Sequence, residues 1–245
     1  MTVSSDSKID KLLDEERAIK SKEEIEFIKY SQYLTDKTFS HILNYIKQGK
    51  TELETALEME FFMRNAGSDG IAFDFIVVSG KNSSLPHGVP TDKPFEIGDF
   101  ITMDFGARYE GYCSDMTRTV AVGGLDNEQI NVYNTVLSAQ EKALSVIKNG
   151  VLCSEVDKAA RDVIDNAGYK EYFGHALGHS LGLDIHEAPA CSPKSKATLK
   201  SGMLMTVEPG IYIPSKFGVR IEDMVVVTDN GYENLTKSPK DIIIL

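Results

Sequence analysis

Ile101-Thr102-Met103-Asp104-Phe105-Gly106 is a strand-like apolar run with a carboxylate near its centre. The pattern returns in Met205-Thr206-Val207-Glu208-Pro209-Gly210, again with a glycine two residues after the acid. Burying an ionised carboxylate among apolar groups is very costly unless something compensates its charge. The two stretches therefore predict related strands whose acids face a compensating positive charge.

Other short stretches repeat at a similar separation, which indicates a duplicated half. Ile46-Lys47-Gln48-Gly49 recurs 101 residues later as Ile147-Lys148-Asn149-Gly150. Asn65-Ala66-Gly67 recurs, again 101 residues later, as Asn166-Ala167-Gly168. The alternative is a chance recurrence of common dipeptides. Two copies about an approximate two-fold axis predict an α+β fold with a central antiparallel sheet flanked by helices.

Local patterns predict the elements of each half. We expect mostly helix over residues 5–50, and a helix from Thr51 to about Gly67 that opens with a Thr51–Glu54 capping box. Further helices are expected within 127–168. Strands are expected in six runs: 73–78, 100–105, 117–122, 204–207, 211–213 and 224–228.

The predicted axis brings together the elements that carry four acids: Asp104, Asp115, Glu208 and Glu222. Asp115 follows Asp104 by eleven residues, a spacing that allows a hairpin to place the two side by side. Clustered carboxylates cannot all ionise without positive charge nearby, so we expect one or two divalent cations. The alternative is a separate ion pair for each acid, with partners among three arginines: Arg108, Arg118 and Arg220.

The chain has five histidines, and three lie in one glycine-rich stretch: His175, His179 and His186. Gly178 and Gly182 disfavour a regular helix there and are typical of backbone that lies against a ligand. The alternative for all three is an ordinary hydrogen-bonded core histidine, and His87, in a turn sequence, is equally compatible with a solvent-exposed position. Carboxylates with imidazoles favour Mn²⁺, Co²⁺, Zn²⁺ or Fe²⁺ over a cysteine-type zinc site. Two such ions would hold a hydroxide at neutral pH.

The composition excludes several classes of protein. Lys and Arg number 26 and Asp and Glu 37, and the net charge of −11 disfavours nucleic-acid binding. No apolar run approaches the ~20 residues of a membrane span, and the polar N-terminus is not a secretory signal. Three cysteines, an odd number without a close pair, suit a reducing compartment. We therefore expect a cytoplasmic protein with no nucleic-acid or membrane partner.

These motifs resemble those of the pita-bread metallopeptidases, which include methionine aminopeptidases, Xaa-Pro aminopeptidases, prolidases and creatinase. The resemblance covers the chain from about Ile19 to Leu245, and it implies a set of five metal ligands: Asp104, Asp115, His179, Glu208 and Glu222. By this resemblance, Asp115 and Glu222 would bridge two metal ions. Asp104 would complete one site, and His179 with Glu208 would complete the other. The implied cofactors are two divalent ions, with manganese preferred over cobalt, zinc and iron.

The stretches around the histidines are most similar to the Xaa-Pro aminopeptidase branch. Asn82-Ser83-Ser84-Leu85-Pro86-His87 resembles its substrate-side turn, and His175 is an extra histidine that methionine aminopeptidases usually lack. The resemblance implies four substrate-binding side chains: His87, His175, His186 and Arg220. It implies His87, His186 and Glu208 as catalytic residues, with Glu208 carrying a proton from the hydroxide to the leaving nitrogen.

The expected function is therefore hydrolysis of the bond between an N-terminal residue and a following proline, by a hydroxide that bridges two metals. The alternatives are a methionine aminopeptidase, a creatinase-like amidine hydrolase and a non-catalytic peptide-binding module on the same fold. Expected partners are short peptides with proline at the second position, and the chain is compatible with a homodimer. Residues 1–18 are expected to be a poorly ordered segment or a linker helix. Residues 19–245 are expected to form the catalytic domain, without the N-terminal domain that is usual in this branch.

Overall fold

A computed structural model describes residues 7–245, so the first six residues of the predicted N-terminal segment lie outside the described part of the chain. The helices within that part are α1 (Ser7–Ala18), α2 (Lys22–Ile42), α3 (Glu52–Asn65), α4 (Asn127–Leu144) and α5 (Cys153–Asn166). The strands there are β1 (Gly70–Ile71), β2 (Ile76–Ser79), β3 (Phe100–Phe105), β4 (Ala107–Tyr109), β5 (Tyr112–Cys113), β6 (Met116–Ala121), β7 (Gly178–Ser180), β8 (Glu187–Cys191), β9 (Leu204–Val207), β10 (Gly210–Ile213), β11 (Phe217–Arg220), β12 (Asp223–Val227) and β13 (Tyr232–Asn234).

The duplicated half is visible in equivalent backbone contacts of the two copies. Gly49 and Gly150 both have a φ of +88°, a conformation that favours glycine. The Gly49 N–H donates to the Phe95 carbonyl at 3.0 Å, and the Gly150 N–H donates to the Leu199 carbonyl at 2.8 Å. Helices α3 and α5, which follow these glycines, each have 14 residues. The repeats in the sequence therefore correspond to repeated local structure.

The strand ladders are antiparallel, as predicted. Strands β2, β3 and β6 form a sheet in the first half, and β9, β12 and β13 form one in the second. The halves meet where the Glu222 N–H donates to the Thr117 carbonyl at 3.1 Å and the Thr119 hydroxyl donates to the Arg220 carbonyl at 3.0 Å. Within residues 7–245 the ladders divide into five short sheets.

Two local predictions differ from the structure. The helical run predicted over 5–50 breaks between α1 and α2, where Ile19 bridges to Met203 and the Lys20 N–H donates to the Gly202 carbonyl. Contact with the second half overrides helix propensity at this point. The strand predicted from Phe73 begins only at Ile76, because the pairing of β2 with β3 runs from Ile76 opposite Asp104 to Ser79 opposite Ile101.

Apolar packing of the helices on the strands supports the site from both sides. Phe39, Met59 and Met63 of α2 and α3 belong to one buried cluster, and α4 and α5 contribute to another with β9 and β12. Nowhere between residues 7 and 245 is a helix both long enough and apolar enough to cross a membrane.

Candidate active site

Three carboxylates converge where the two halves meet. Asp104 lies in β3, Asp115 lies between β5 and β6, and Glu222 lies between β11 and β12. One carboxylate oxygen of each lies within 4.8 Å of the others. Asp115 and Glu222 are buried, and the Asp104 side chain is only 13% exposed. The predicted hairpin and the predicted meeting of the halves thus bring these three acids together.

His179 and Glu208 complete the cluster from the second half. His179 Nε2 lies 3.4 Å from Glu208 Oε1 and 3.6 Å from Asp115 Oδ2. The His179 Nδ1 lies 3.1 Å from the Ser180 carbonyl, so Nδ1 carries the proton and donates. Nε2 is then the lone-pair nitrogen, and it faces the two carboxylates. A neutral imidazole held in one tautomer by a carbonyl is the form that binds a metal ion.

Unpaired oxygens indicate that this cluster fits a divalent cation. Asp104 Oδ1, Asp115 Oδ1 and Glu222 Oε1 are buried and have no hydrogen-bond partner among the described residues. Buried polar atoms in folded proteins are nearly always satisfied, and carboxylate oxygens are hard donors that suit such ions. The five residues present therefore fit the metal site that the resemblance implies.

Burial and mutual repulsion shift the titration of this cluster. Burial raises the pKa of Asp115 and of Glu222 well above the ordinary range, and the neighbouring carboxylates raise both further. Burial also raises the pKa of Glu208 to about 8, against the opposing charge of Arg220. Burial lowers the pKa of His179 to about 4, so its ring is neutral at pH 7. Without a cation, the folded protein therefore disfavours the ionised carboxylates.

Arg220 connects the cluster to His175 through a chain of hydrogen bonds. Its Nη2 donates to Asp104 Oδ2 at 2.6 Å, and its Nη1 donates to the Tyr212 hydroxyl at 2.7 Å. The Tyr212 hydroxyl lies 2.9 Å from His175 Nε2, whose ring holds its proton on Nδ1 facing the Ala176 carbonyl. Arg220 is thus the ion-pair partner considered for Asp104, but it engages only one of the two carboxylate oxygens.

A cavity of about 460 Å³ opens onto this cluster and collects the remaining predicted residues. His87, His175, His186 and Arg220 line it together with Asp104, Asp115, His179 and Glu208. The apolar part of the wall includes Phe73, Ile76 and Ile185. His87 and His186 are exposed, and the His186 ring centre lies 4.4 Å from that of His179. All the residues predicted around the substrate therefore face one cavity.

Two glycines of the histidine stretch allow close packing within the protein. Gly178 and Gly182 were predicted to place backbone against a ligand, and Gly178 lines the cavity. A Cβ atom at Gly178 would lie 2.0 Å from the Thr206 carbonyl oxygen. One at Gly182 would lie 2.9 Å from Glu187 Oε1. Gly178 is the first residue of β7, the strand that carries His179.

Several supporting residues were missed by the sequence reasoning. Asp223, next to Glu222, points away from the cluster and pairs with buried Arg118 at 2.8 Å. Thr117 donates to Glu222 Oε2 at 2.7 Å, and Lys20 pairs with Glu187 at 2.9 Å. Glu222 and Asp223 could have been distinguished by alternation along extended backbone, since neighbouring residues there face opposite sides.

Comparison with known proteins shows the family of this chain. Residues 26–229 match the model of metallopeptidase family M24. The chain belongs to this family. It is 51% identical over 229 residues to the uncharacterized peptidase YqhT of Bacillus subtilis, covering 94% of this chain and 65% of that protein. It is 45% identical over 236 residues to the Xaa-Pro dipeptidase of Pyrococcus furiosus, covering 96% of this chain and 68% of that protein.

The fold agrees with that of solved M24 structures. The Xaa-Pro dipeptidase from Bacillus anthracis superimposes with a TM-score of 0.94 at 50% identity, over 96% of this chain and 66% of that one. The prolidase from Pyrococcus furiosus gives a TM-score of 0.93 at 45% identity, over 94% of this chain and 68% of that one. The predicted α+β pita-bread fold and the prolidase-like family are therefore confirmed. The M24 chain spans about two thirds of the length of these relatives.

The metal-free M24 chain is expected to lose stability as pH rises from about 7 to 8. The pKa of Glu208 is about 8 in the folded state and 4.5 ordinarily. The stability that its protonated form contributes is therefore fully present below pH 4.5 and is lost as the pH rises through 8. His175 and His179, lowered from 6.5 to about 4, act oppositely but mainly below pH 7. Glu208 alone contributes a fall of about 1 kcal/mol per pH unit in the free energy of unfolding.

Urea unfolding in the presence of a chelator, at several pH values, measures this slope. Glu208→Gln should make the slope shallower without abolishing it, because the raised pKa values of Asp115 and Glu222 act in the same direction. Saturating Mn²⁺ should raise stability and flatten the slope, because the bound form keeps the carboxylates ionised. A metal-free slope that is zero or positive between pH 7 and 8 would contradict the titration assigned to the cluster.

Lys20 is expected to stabilise the loop that carries His186. Its Nζ, on a side chain 2% exposed, lies 2.9 Å from Glu187 Oε2. Lys20→Met leaves Arg17 as the remaining ion-pair partner of Glu187. The free energy of unfolding should therefore fall by about 2 kcal/mol, less than the ~3–5 kcal/mol expected when a buried charge loses its partner entirely. Urea unfolding measures it. Lys29→Met, which removes two surface ion pairs, with Glu26 and Glu233, is the control and should cost under about 1 kcal/mol. Equal losses in both variants would contradict the prediction.

Proposed function

We propose that this chain hydrolyses the peptide bond between an N-terminal residue and a proline at the second position, using two divalent metal ions. The observation that carries the proposal is the buried cluster of Asp104, Asp115 and Glu222, in which each carboxylate has one unpaired oxygen. Asp104 and Asp115 line one cavity with His179 and Glu208. A binding module that needs no metal has no reason to bury several carboxylates together, because doing so is costly.

The proposed ligands are the five residues of the cluster, with Asp115 and Glu222 between the two ions. Asp104 would complete one site, and His179 with Glu208 would complete the other. Divalent ions held there would supply Lewis acidity and would activate water at neutral pH. The mainly carboxylate donor set favours manganese among the candidate ions, with cobalt, zinc and iron as alternatives.

Each remaining residue has a role that its contacts support. Glu208, hydrogen-bonded by the Thr206 hydroxyl at 3.1 Å, can take a proton from water and pass it to the leaving nitrogen. His87 and His186, exposed at the cavity, can donate hydrogen bonds to the scissile carbonyl as negative charge develops. His175 and Arg220 are tied to each other through Tyr212, so they present fixed groups to the substrate.

Proline specificity is proposed from the relatives and from the cavity. Relatives about 45% identical are named Xaa-Pro dipeptidases, and another solved relative is an X-Pro aminopeptidase from Thermotoga maritima. The cavity of about 460 Å³ suits a short peptide, and its apolar wall suits a pyrrolidine ring. We therefore propose short Xaa-Pro peptides as substrates, with Xaa-Pro dipeptides the first to test.

The proposal is tested with the purified chain loaded in turn with Mn²⁺, Co²⁺ or Zn²⁺. Ala-Pro, Ala-Pro-Ala and Met-Ala-Ala are offered separately, and released amino acids are quantified. Release of alanine from the proline peptides, and not of methionine from Met-Ala-Ala, supports the proposal. Release of methionine alone would favour a methionine aminopeptidase. Peptide binding without cleavage by the metal-loaded protein would favour a binding module.

The proposed setting is cytoplasmic, without nucleic-acid or membrane partners, since the net charge of −11 opposes binding to phosphate surfaces. We further propose a homodimer, which light scattering of the metal-loaded protein would test against a monomer of 27.1 kDa.

A further inference from the structure

Glu52 is a fully buried carboxylate outside the metal cluster. It is the first residue of α3, where the partial positive charge of the helix N-terminus favours an anion. Its Oε1 accepts hydrogen bonds from the Ser79 N–H at 2.7 Å and the Ser79 hydroxyl at 2.9 Å. Its Oε2 accepts from the Thr91 N–H at 3.1 Å and the Thr91 hydroxyl at 2.7 Å. The Asn82 amide donates to both oxygens. Five donors therefore converge on one carboxylate.

Four of the five donors belong to the two ends of one loop, residues 79–91, and the fifth, Asn82, lies three residues in from the first end. Ser79 ends β2, Thr91 lies twelve residues later, and His87 lies between them. Charge-assisted hydrogen bonds to a buried carboxylate are strong, so Glu52 ties the base of this loop to α3. The loop in turn presents exposed His87 to the cavity.

The middle of the same loop is fixed from the other half of the molecule. The Gly218 N–H donates to the Ser83 hydroxyl at 2.8 Å, and a Cβ atom at Gly218 would lie 2.1 Å from the Ser83 carbonyl oxygen. Arg220 Nη1 donates to the Pro86 carbonyl at 3.2 Å. Pro86 and Arg220 line the cavity, so the contact between them lies next to His87, while Glu52 binds the two ends of the same loop.

The duplicated half separates this role from a general structural one. Cys153 occupies the place equivalent to Glu52 at the start of α5, 101 residues later. Both backbones make the same contact: the Glu52 N–H donates to the Lys93 carbonyl at 3.1 Å, and the Cys153 N–H donates to the Ala197 carbonyl at 2.9 Å. The repeated framework therefore forms without a carboxylate, which is present only where the loop carries His87.

We infer that Glu52 is a positioning residue that holds the 79–91 loop and sets the place of His87 at the cavity. The inference rests on the proposed function for the role of His87. Glu52 is not a catalytic residue, because its carboxylate is bound to the loop and is not among the groups that line the cavity. Its effect on hydrolysis should therefore act through His87.

The test compares the Mn²⁺-loaded parent with Glu52→Gln, His87→Ala and the double variant, using Ala-Pro as substrate. In Glu52→Gln one carboxylate oxygen becomes an NH₂ group that faces an N–H donor, so one end of the loop is no longer held. Because His87 is then misplaced, kcat should fall about 10- to 100-fold with the metal content unchanged. In the His87→Ala background the same change should lower kcat less than about threefold, because the group it positions is already absent. Losses that multiply in the double variant would overturn the inference.

Glu54→Gln is the matched control, since it makes the same chemical change two residues away at the exposed start of α3 and keeps the capping interaction. It should retain parent kcat. Thr91→Val, which removes one donor from the far end of the loop, replaces Glu52→Gln if that variant does not fold, and Thr91→Ser should restore activity. Unchanged kcat in both Glu52→Gln and Thr91→Val would overturn the inference.

Hydrogen exchange provides a readout that does not depend on hydrolysis. Amides of residues 79–91 should exchange at least about tenfold faster in Glu52→Gln than in Glu54→Gln, whereas amides of α5 should not change. If the parent does not cleave Ala-Pro, the proposed function fails, and this measurement still decides whether Glu52 holds the loop. Equal exchange in the two variants would overturn the inference.

Discussion

Glu222→Gln is expected to lower Ala-Pro hydrolysis roughly 10³-fold and to reduce the bound metal to one ion or fewer per chain. Glu222 is 1% exposed, and its Oε1 has no hydrogen-bond partner within the described residues. One of its carboxylate oxygens lies within 4.8 Å of an oxygen of Asp104 and of Asp115. A metal ion contributes several kcal/mol to charge stabilisation in the transition state, and each 1.36 kcal/mol corresponds to tenfold in rate.

Metal content measured by mass spectrometry gives the readout besides activity. The metal-free Glu222→Gln variant should be at least as stable as the metal-free parent, because the change removes a carboxylate whose pKa burial and its neighbours raise. Near-parent turnover by a variant that has lost its metal would disprove the proposed mechanism. Full metal content with full turnover would remove Glu222 from the ligand set.

Asp223→Asn is the matched comparison, one residue away and with the opposite expected phenotype. Asp223 is buried, pairs with Arg118 at 2.8 Å and Lys240 at 2.9 Å, and faces away from the cluster. Loss of its charge should cost about 3 kcal/mol of folding free energy, because Arg118 remains buried with carbonyl partners but without a carboxylate to balance its charge. The folded fraction should still bind metal, so the two adjacent acids separate a ligand from a structural ion pair.

The acids of the cluster were predictable because each breaks a local rule. Asp104 and Glu208 interrupt apolar strands, and a carboxylate in such a place needs an explanation that a surface acid does not. The repeated stretches then indicated a duplicated half, and in the structure the two halves meet at the hydrogen bond from the Glu222 N–H to the Thr117 carbonyl. The candidate site and the duplication could therefore both be predicted from local sequence patterns, namely acids within apolar strands and repeated stretches.

The residues that support the site could not be predicted in the same way. Glu52 has no unusual sequence context, since it begins a helix with an ordinary capping box. Its importance depends on Ser79 and Thr91, which reach it only after a loop of the first half has folded back onto α3. Lys20 is similar, because its partner Glu187 lies 167 residues away in sequence. Such long-range polar contacts carry no periodic signal that a single sequence can reveal.

His186→Ala is expected to lower kcat about 10²-fold while the metal content stays unchanged. His186 is exposed at the cavity, and its ring centre lies 4.4 Å from that of the proposed ligand His179. Loss of a positioned hydrogen-bond donor or acid–base group typically costs 10²- to 10⁴-fold in rate. The variant keeps the carboxylate cluster, so metal affinity should change little.

Two further variants make this result specific. His186→Gln keeps a donor of similar reach and should recover part of the lost kcat. His41→Ala removes another histidine, whose Nε2 lies 2.6 Å from Glu58 on the surface of α2 and α3, and should leave kcat unchanged. Unchanged kcat in metal-loaded His186→Ala would remove His186 from the catalytic set. The His179 ring is held by the hydrogen bond of its Nδ1 to the Ser180 carbonyl and not by His186. Loss of metal from His186→Ala would therefore contradict the proposed mechanism, in which His179 binds metal and His186 contacts the substrate.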